Sequence, residues 1–261
     1  MAIAALQAGK DIFVEKPMAL TPEAGEAILE TTHQTRRITM VGHLLLYHPA
    51  IVRIEELLAS GELGRLEYIY SNRLSMGKIR TEENALWSFA PHDISVILRL
   101  AGQLPLQASA TGGAYLQPNV ADVTVSDLLF DHGTRAHIFV SWLHPYKEQR
   151  LVVIGSKKMV AFEDTRPSEK LLLYDNQIVR MGNGFDATQS KPVPLSYGTE
   201  EPLQLECQHF ADCVRTQQQP RTSAEDGLLV LQVLQACQRS LQLNGELVQM
   251  NTRAFHRVAT M

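Results

Sequence analysis

The sequence predicts a short parallel α/β unit followed by a larger α+β domain with a mostly antiparallel open sheet and flanking helices. Three observations carry this. Two brief apolar runs, at 12–14 and 38–41, bracket a capped helical segment, the spacing of a βαβ unit with its parallel pair and right-handed crossover. From Leu66 onward the apolar runs are separated by turn residues such as Asp131-His132-Gly133 and Gly155-Ser156-Lys157-Lys158, as antiparallel hairpins require. Two helical segments then close the chain.

The elements follow in order. Residues 2–8 read as the end of a helix with Gly9 as its C-cap. Ile12, Phe13 and Val14 form a buried strand that delivers Glu15-Lys16-Pro17 to its carboxyl end, where α/β sheets usually bind ligands. Thr21 caps the next helix, with Pro22 at its first position and Glu23 in its first turn. Ala24, Ala27, Ile28 and Thr31 give that helix one small apolar face. After Gly42 the character changes. Pro49 opens a helix that stops at Ser60-Gly61, and strands are expected at 66–74, 107–115, 123–130, 136–143 and 151–154. One helix at 91–100 interrupts them, with Ile94, Ile97 and Leu98 inward. Residues 164–200 are rich in Pro, Gly, Asp and Ser and read as loop with one short hairpin. Ser223-Ala224-Glu225-Asp226 resembles a capping box at the start of the last helix. The expected division is 1–42 and 43–261.

Composition excludes several classes. A net charge of −4 leaves no basic footprint for nucleic acid or an anionic membrane. No apolar run reaches the length of a membrane span, and residues 1–8 lack the basic region of a signal peptide. Cys207, Cys213 and Cys237 show no C-x-x-C spacing, so they read as buried thiols in a reducing compartment rather than a metal site. A cytoplasmic protein is expected.

Three clusters could carry chemistry. Lys16, between Glu15 and Pro17 at a strand end, could hold its ammonium against a substrate hydroxyl, or belong to an ordinary surface turn. His92, in Trp87-Ser88-Phe89-Ala90-Pro91-His92-Asp93, falls in the first turn of the expected helix. A helix N-terminus disfavours imidazolium and leaves a neutral base; a capping or packing histidine is the plainer reading. Arg73, Lys78 and Arg80 lie close together along a strand end and its loop, which suits phosphate or carboxylate recognition or a solvated face.

Taken together, these segments resemble the Gfo/Idh/MocA family of nicotinamide-dependent oxidoreductases over essentially the whole chain. Ala8-Gly9-Lys10 through Val14-Glu15-Lys16-Pro17 is similar to the family's lysine motif. Gly42-His43 with Tyr47-His48-Pro49-Ala50 is similar to the start of its second domain. Pro91-His92-Asp93 is similar to its catalytic-histidine helix, and Glu206, His209-Phe210, Cys213-Val214 and Asp226-Gly227-Leu228 to its last two helices. Within the family, Tyr70-Ser71-Asn72-Arg73, 78–84 and Trp87-Ser88-Phe89 most resemble the members acting on UDP-N-acetylglucosamine at C3.

The resemblance implies that the first unit is the C-terminal part of a Rossmann-like parallel sheet. It implies hydride transfer from a sugar hydroxyl to NAD or NADP, a small-molecule substrate and a homodimer or tetramer. Lys16 and His92 would be catalytic, with Glu15, Lys16 and Pro17 at the nicotinamide. Arg73, Lys78, Arg80, Trp87 and Asp93 would face a nucleotide sugar. Many members carry an aspartate where this chain has Ser88; either Asp93 substitutes for it in holding the imidazole, or the subfamily works without it. The family's Gly-rich turn lies upstream of the lysine motif, so the chain reads as N-terminally shortened. The expectations are cofactor binding that is weak or absent in the chain alone, with activity in doubt for that reason, and an exposed apolar edge on its two-stranded sheet. Two other readings stay open: a non-catalytic sugar-nucleotide-binding or oligomerisation module, and a dehydrogenase of inositol or a free aldose.

Overall fold

The computed structural model describes residues 1–175 and 177–250. It opens with α1 (Ala2–Gln7), β1 (Ile12–Val14), α2 (Pro22–Thr35) and β2 (Thr39–Val41). β1 and β2 pair in parallel with Val14 opposite Val41. Thr21 Oγ1 accepts the Ala24 N–H at 3.3 Å and Pro22 takes the first helical position, so the local signals act as expected. Gly9 follows α1 at φ +74°, a conformation that a Cβ would disfavour.

A 3₁₀ turn (Leu44–Tyr47) leads to α3 (Pro49–Ala59), β3 (Leu66–Met76) and α4 (Ala85–Ala101). Next come β4 (Gln107–Gly113), β5 (Val123–Leu129), β6 (Arg135–Ser141), β7 (Leu143–Gly155), β8 (Met159–Glu163) and β9 (Leu171–Tyr174). The chain continues through β10 (Gln177–Met181), β11 (Gly184–Thr188), β12 (Val193–Pro194), α5 (Pro202–Thr216), α6 (Ala224–Gln242) and β13 (Val248–Gln249). Nine strands form one sheet in the order β12-β9-β8-β7-β3-β6-β5-β4-β13. Every neighbouring pair is antiparallel except β3 with β6.

Strand alternation sorts the two faces of this sheet. Ile69, Ala136, Ile138, Val140, Ala108, Leu128 and Val153 are buried in the main core with Ile94 and Ile97 of α4 and Val233 and Leu234 of α6. The other face carries Tyr68, Tyr70 and His137; the Tyr70 and His137 rings stack with centroids 5.3 Å apart. A second core joins the two ends of the chain. Leu6, Met18, Ile28 and Val41 pack with Ala224 and Leu228 of α6. The Val41 N–H bonds to the Thr222 carbonyl at 2.8 Å, and Met40 bridges to Ser223. Residues next to α6 thus occupy the outer edge of β2, while Phe13 on β1 stays 37% exposed beside the Phe210 ring.

Several expectations need correction: β1 is not buried, with Phe13 37% exposed, and Cys207 is exposed whereas Cys213 and Cys237 are buried. The helix placed at 91–100 starts at Ala85, capped by Asn84, whose Oδ1 accepts the Trp87 N–H at 3.1 Å. Pro91 therefore lies inside it. The earlier start is held by a long-range anchor, because Asn84 Nδ2 and Trp87 Nε1 both donate to Gln238 Oε1 of α6. The region 164–200 contains its hairpin, β10–β11, but also β9 and β12, which extend the large sheet. Buried Leu171, Leu172 and Leu173 supply the reason.

Candidate active site

The parallel pairing of β1 and β2 brings two strand ends to one level. Gly42 N–H bonds to the Val14 carbonyl at 2.8 Å, so Glu15-Lys16 and Gly42-His43 leave the sheet side by side. The Lys16–Pro17 peptide is cis. Across from these ends runs α4. Pro91 has no N–H for the carbonyl of the preceding turn, and a proline inside a helix bends it and loosens nearby carbonyls. Lys16 Nζ donates to one of them, Ser88 O, at 2.8 Å. That bond draws a strand-end ammonium onto the helical turn just before His92.

Burial and neighbouring cations disfavour the charged forms in this cluster. Burial lowers the Lys16 pKa, with Arg80 and Arg73 adding to the effect and Glu83 and Glu15 opposing it. His92 is held well below the usual histidine value by burial first, then by Arg73, Lys16 and His43. Its neutrality was expected from a helix N-terminus. The histidine instead sits in the middle of α4, and desolvation with neighbouring cations does the work. His92 Nδ1 is buried and finds no hydrogen-bond partner among the described residues.

The other predicted residues divide. Asp93 is 2% exposed and does not hold the imidazole. Its carboxylate accepts from Ser71 Oγ at 2.6 Å and from Arg73 Nε and an Arg73 terminal nitrogen at 3.0 and 3.2 Å. The register of β3 beneath α4 explains the choice, since both Ser71 and Arg73 are on that strand. The Arg73 charge is thereby taken up by a carboxylate. Arg80 pairs with Glu83 at 3.1 Å, and Lys78 is exposed. Arg73 and Arg80 each have a carboxylate partner, and both act on the Lys16 charge. Trp87 spends its indole N–H on Gln238 of α6, which makes it a clamp on the start of α4.

Two residues escaped the sequence reading of the site. His43 is 1% exposed, with neither ring nitrogen partnered among the described residues. Burial, then the Lys16 charge, push its pKa down to about 4. The usable signal was the parallel pairing itself, since residues following adjacent parallel strands share one crevice. Glu206 of α5 is 2% exposed and its Oε1 lacks a partner among the described residues. Burial, then Glu15, raise it to about 7. A carboxyl raised in the folded state adds stability fully present below its ordinary value of 4.5 and lost as pH rises through about 7. Glu206→Gln should therefore raise Tm at pH 8 relative to the native chain, with the advantage shrinking toward pH 4.5. Thermal melts at both pH values check this; an equal difference at the two would refute it.

Among the described residues no cluster of three or more His, Cys, Asp or Glu side chains could hold a metal ion. No described helix is long and apolar enough to cross a membrane.

Known proteins agree with this architecture. Residues 1–43 match the model of the oxidoreductase family with an NAD-binding Rossmann fold, and residues 51–161 match the GFO/IDH/MocA C-terminal domain. The chain is 26% identical to scyllo-inositol 2-dehydrogenase (NAD(+)) of Bacillus subtilis, over 97% of this chain and 74% of that protein. It is 28% identical to UDP-N-acetylglucosamine 3-dehydrogenase of Acidithiobacillus ferrooxidans, over 52% of this chain and 42% of that one. A crystal structure of an inositol dehydrogenase homologue from Azotobacter vinelandii, complexed with NADH and myo-inositol, superposes with a TM-score of 0.78. That match covers 95% of this chain and 74% of the other at 16% identity. The two matched models thus place the chain among oxidoreductases with an NAD-binding Rossmann fold. The chain belongs to the Gfo/Idh/MocA family.

Proposed function

We propose that the chain is a dehydrogenase of a sugar or cyclic polyol, with Lys16 and His92 handling the proton of the hydroxyl that is oxidised. The observation that carries this is the Lys16 Nζ bond to Ser88 O, which places an ammonium on the turn before a neutral histidine. The crevice suits the reacting edge of a nicotinamide. Glu15, Lys16 and Pro17 follow the carboxyl end of a parallel strand. Bound there, the nicotinamide ring would supply the hydride acceptor. Lys16 donates a hydrogen bond to the substrate oxygen and favours its developing negative charge. His92, neutral near pH 7, accepts the hydroxyl proton, and the two groups titrate as a coupled system.

The substrate follows from charge. Arg73 and Arg80 both have carboxylate partners, so an uncharged polyol or free sugar is favoured over a nucleotide diphosphate. The relative that acts on UDP-N-acetylglucosamine supports the second reading. A screen of inositols, free aldoses and UDP-sugars with NAD, read as NADH fluorescence, distinguishes them. Turnover of inositols or aldoses is expected; turnover of UDP-sugars alone would overturn the preference. NADH titration separates both readings from a non-catalytic module.

The sheet face bearing Tyr68, Tyr70 and His137 further supports association with a second copy, since such a face is normally covered. Sedimentation should give a dimer or tetramer, and Tyr70→Lys should shift it toward monomer.

A further inference from the structure

We propose that the loop at 114–121 recognises substrate, with Tyr115 stacking on a second, uncharged sugar ring joined to the one that reacts and Asp122 as the positioning residue. The inference rests on the reading of Lys16 and His92 as the site where an uncharged sugar is oxidised. It starts from contacts. The Ala85 N–H donates to the Ala121 carbonyl at 2.8 Å, and Gln117 Nε2 donates to the Arg80 carbonyl at 2.6 Å. The loop is thereby tied to the first residue of α4 and to the segment leading into it. Lys16 Nζ rests on Ser88 O, and the Ser88 N–H bonds to Asn84 O at 3.0 Å, one turn along the same helix. At about 1.5 Å of rise per residue, Ser88 lies roughly 4.5 Å along the axis from Ala85.

Two independent devices fix Tyr115. Asp122 is fully buried, and one of its carboxylate oxygens accepts the Tyr115 and Leu116 N–H groups at 2.6 and 3.0 Å. The other accepts from Trp142 Nε1 at 2.6 Å, and Trp142 is itself fully buried. Burial opposes ionisation of Asp122, but the bonds from Trp142, Leu116 and Tyr115 outweigh it and hold its pKa below the usual value. The ring is placed by Gly113. A Cβ there would fall 2.5 Å from Tyr115 Cζ and Oη, so the ring lies directly against the strand end in room that only glycine leaves. The rest of the ring meets solvent, since Tyr115 is 73% exposed.

Single exposed apolar side chains are ordinary. This one is held at both backbone and ring, and Leu116 beside it and Ile79 on the adjoining segment are exposed as well. A loop pinned to a buried frame while presenting an aromatic ring is suited to recognition. A sugar ring has C–H groups on its faces and hydroxyls round its edge, and tyrosine offers an apolar face with a polar tip to match them. Charge narrows the choice of occupant. Residues 114–121 contain no basic side chain, and Arg80, whose carbonyl the loop holds, already has Glu83 as its partner. The loop therefore offers a phosphate nothing, while Gln117 and Asn119 suit neutral hydroxyls.

Two measurements test the platform. Monosaccharides, the disaccharides built from them and UDP-sugars are compared as substrates with NAD. A disaccharide of the accepted sugar should show a KM about tenfold below that of the monosaccharide. Tyr115→Ala should bring the two KM values together, and Tyr115→Phe should keep them apart. Equal KM values in the native chain, or a Tyr115 effect confined to UDP-sugars, would overturn the proposal. Without cofactor, NMR saturation transfer from the tyrosine rings should reach the C–H protons of the disaccharide and be lost in Tyr115→Ala; a signal that is absent or that survives the substitution would also overturn it. Asp122→Asn keeps an acceptor for Trp142 but turns a donor toward the two loop N–H groups. It should speed hydrogen exchange at Tyr115 and Leu116 and abolish the disaccharide preference; faster exchange with the preference intact would overturn the positioning role. Gly113→Ala, which displaces the ring and leaves Asp122 in place, serves if the asparagine variant fails to fold. Full turnover in Lys16→Met would instead overturn the catalytic reading beneath the proposal.

Discussion

Lys16→Met and His92→Ala are each expected to lower kcat/KM by about 10²–10⁴-fold. Methionine keeps the length and packing of the lysine stem but removes the ammonium that donates to Ser88 O at 2.8 Å. Alanine removes the imidazole that burial and the neighbouring cations hold neutral. The double variant should lose little more than either single one, because groups acting on one proton as a unit are not additive. Lys16→Met should also raise the pKa of His43 and of His92, since the lysine charge depresses both. NMR titration of the histidine rings reads that shift without any substrate. Turnover retained in both single variants would refute the catalytic assignment.

Asp93→Ala should destabilise the chain by about 3 kcal/mol, the expected loss when one partner of a buried ion pair is removed. The Asp93 side chain is 3% exposed and that of Arg73 14%. Alanine would leave a guanidinium in the protein interior with no counter-charge and would also strand the Ser71 hydroxyl. The double variant Arg73→Met with Asp93→Leu should recover much of the loss, because it removes the charge together with its partner. Urea unfolding of the three variants makes the comparison. A single-variant change within about 0.5 kcal/mol, typical of surface substitutions, would show that the pair does not matter to stability.

The same pair marks the point at which sequence reading stops. Arg73 and Lys78 with Arg80 looked like a cationic cluster because they are close along the chain. Arg73 and Asp93 are 20 residues apart, and nothing in local pattern says which of several acids a strand-borne arginine will meet. Trp87 is similar: an indole near a candidate base suggests a substrate platform, yet its N–H goes to Gln238, 151 residues away.

Local signals were legible because they depend on neighbours. Thr21 with Pro22, Ser223 with Asp226, and Gly9 act within a turn or two of the chain. Their effects belong to backbone hydrogen bonds and φ preferences that the residues carry anywhere. The apolar runs at 66–74 and 136–143, set off by turn residues, likewise marked two strands. On that basis the parallel start and the mostly antiparallel sheet were visible in the amino-acid order. The start of α4 was not, because Asn84 and Pro91 are both competent openings and the bonds to Gln238 chose between them. Nor were His43 and Glu206, whose chemistry comes from burial. How much water a side chain loses is a property of the packed molecule, set by segments far away in the chain. The strand and helix that present the candidate chemistry are written locally; the environment that keeps His92 neutral exists only once α4, β1 and β2 have packed together.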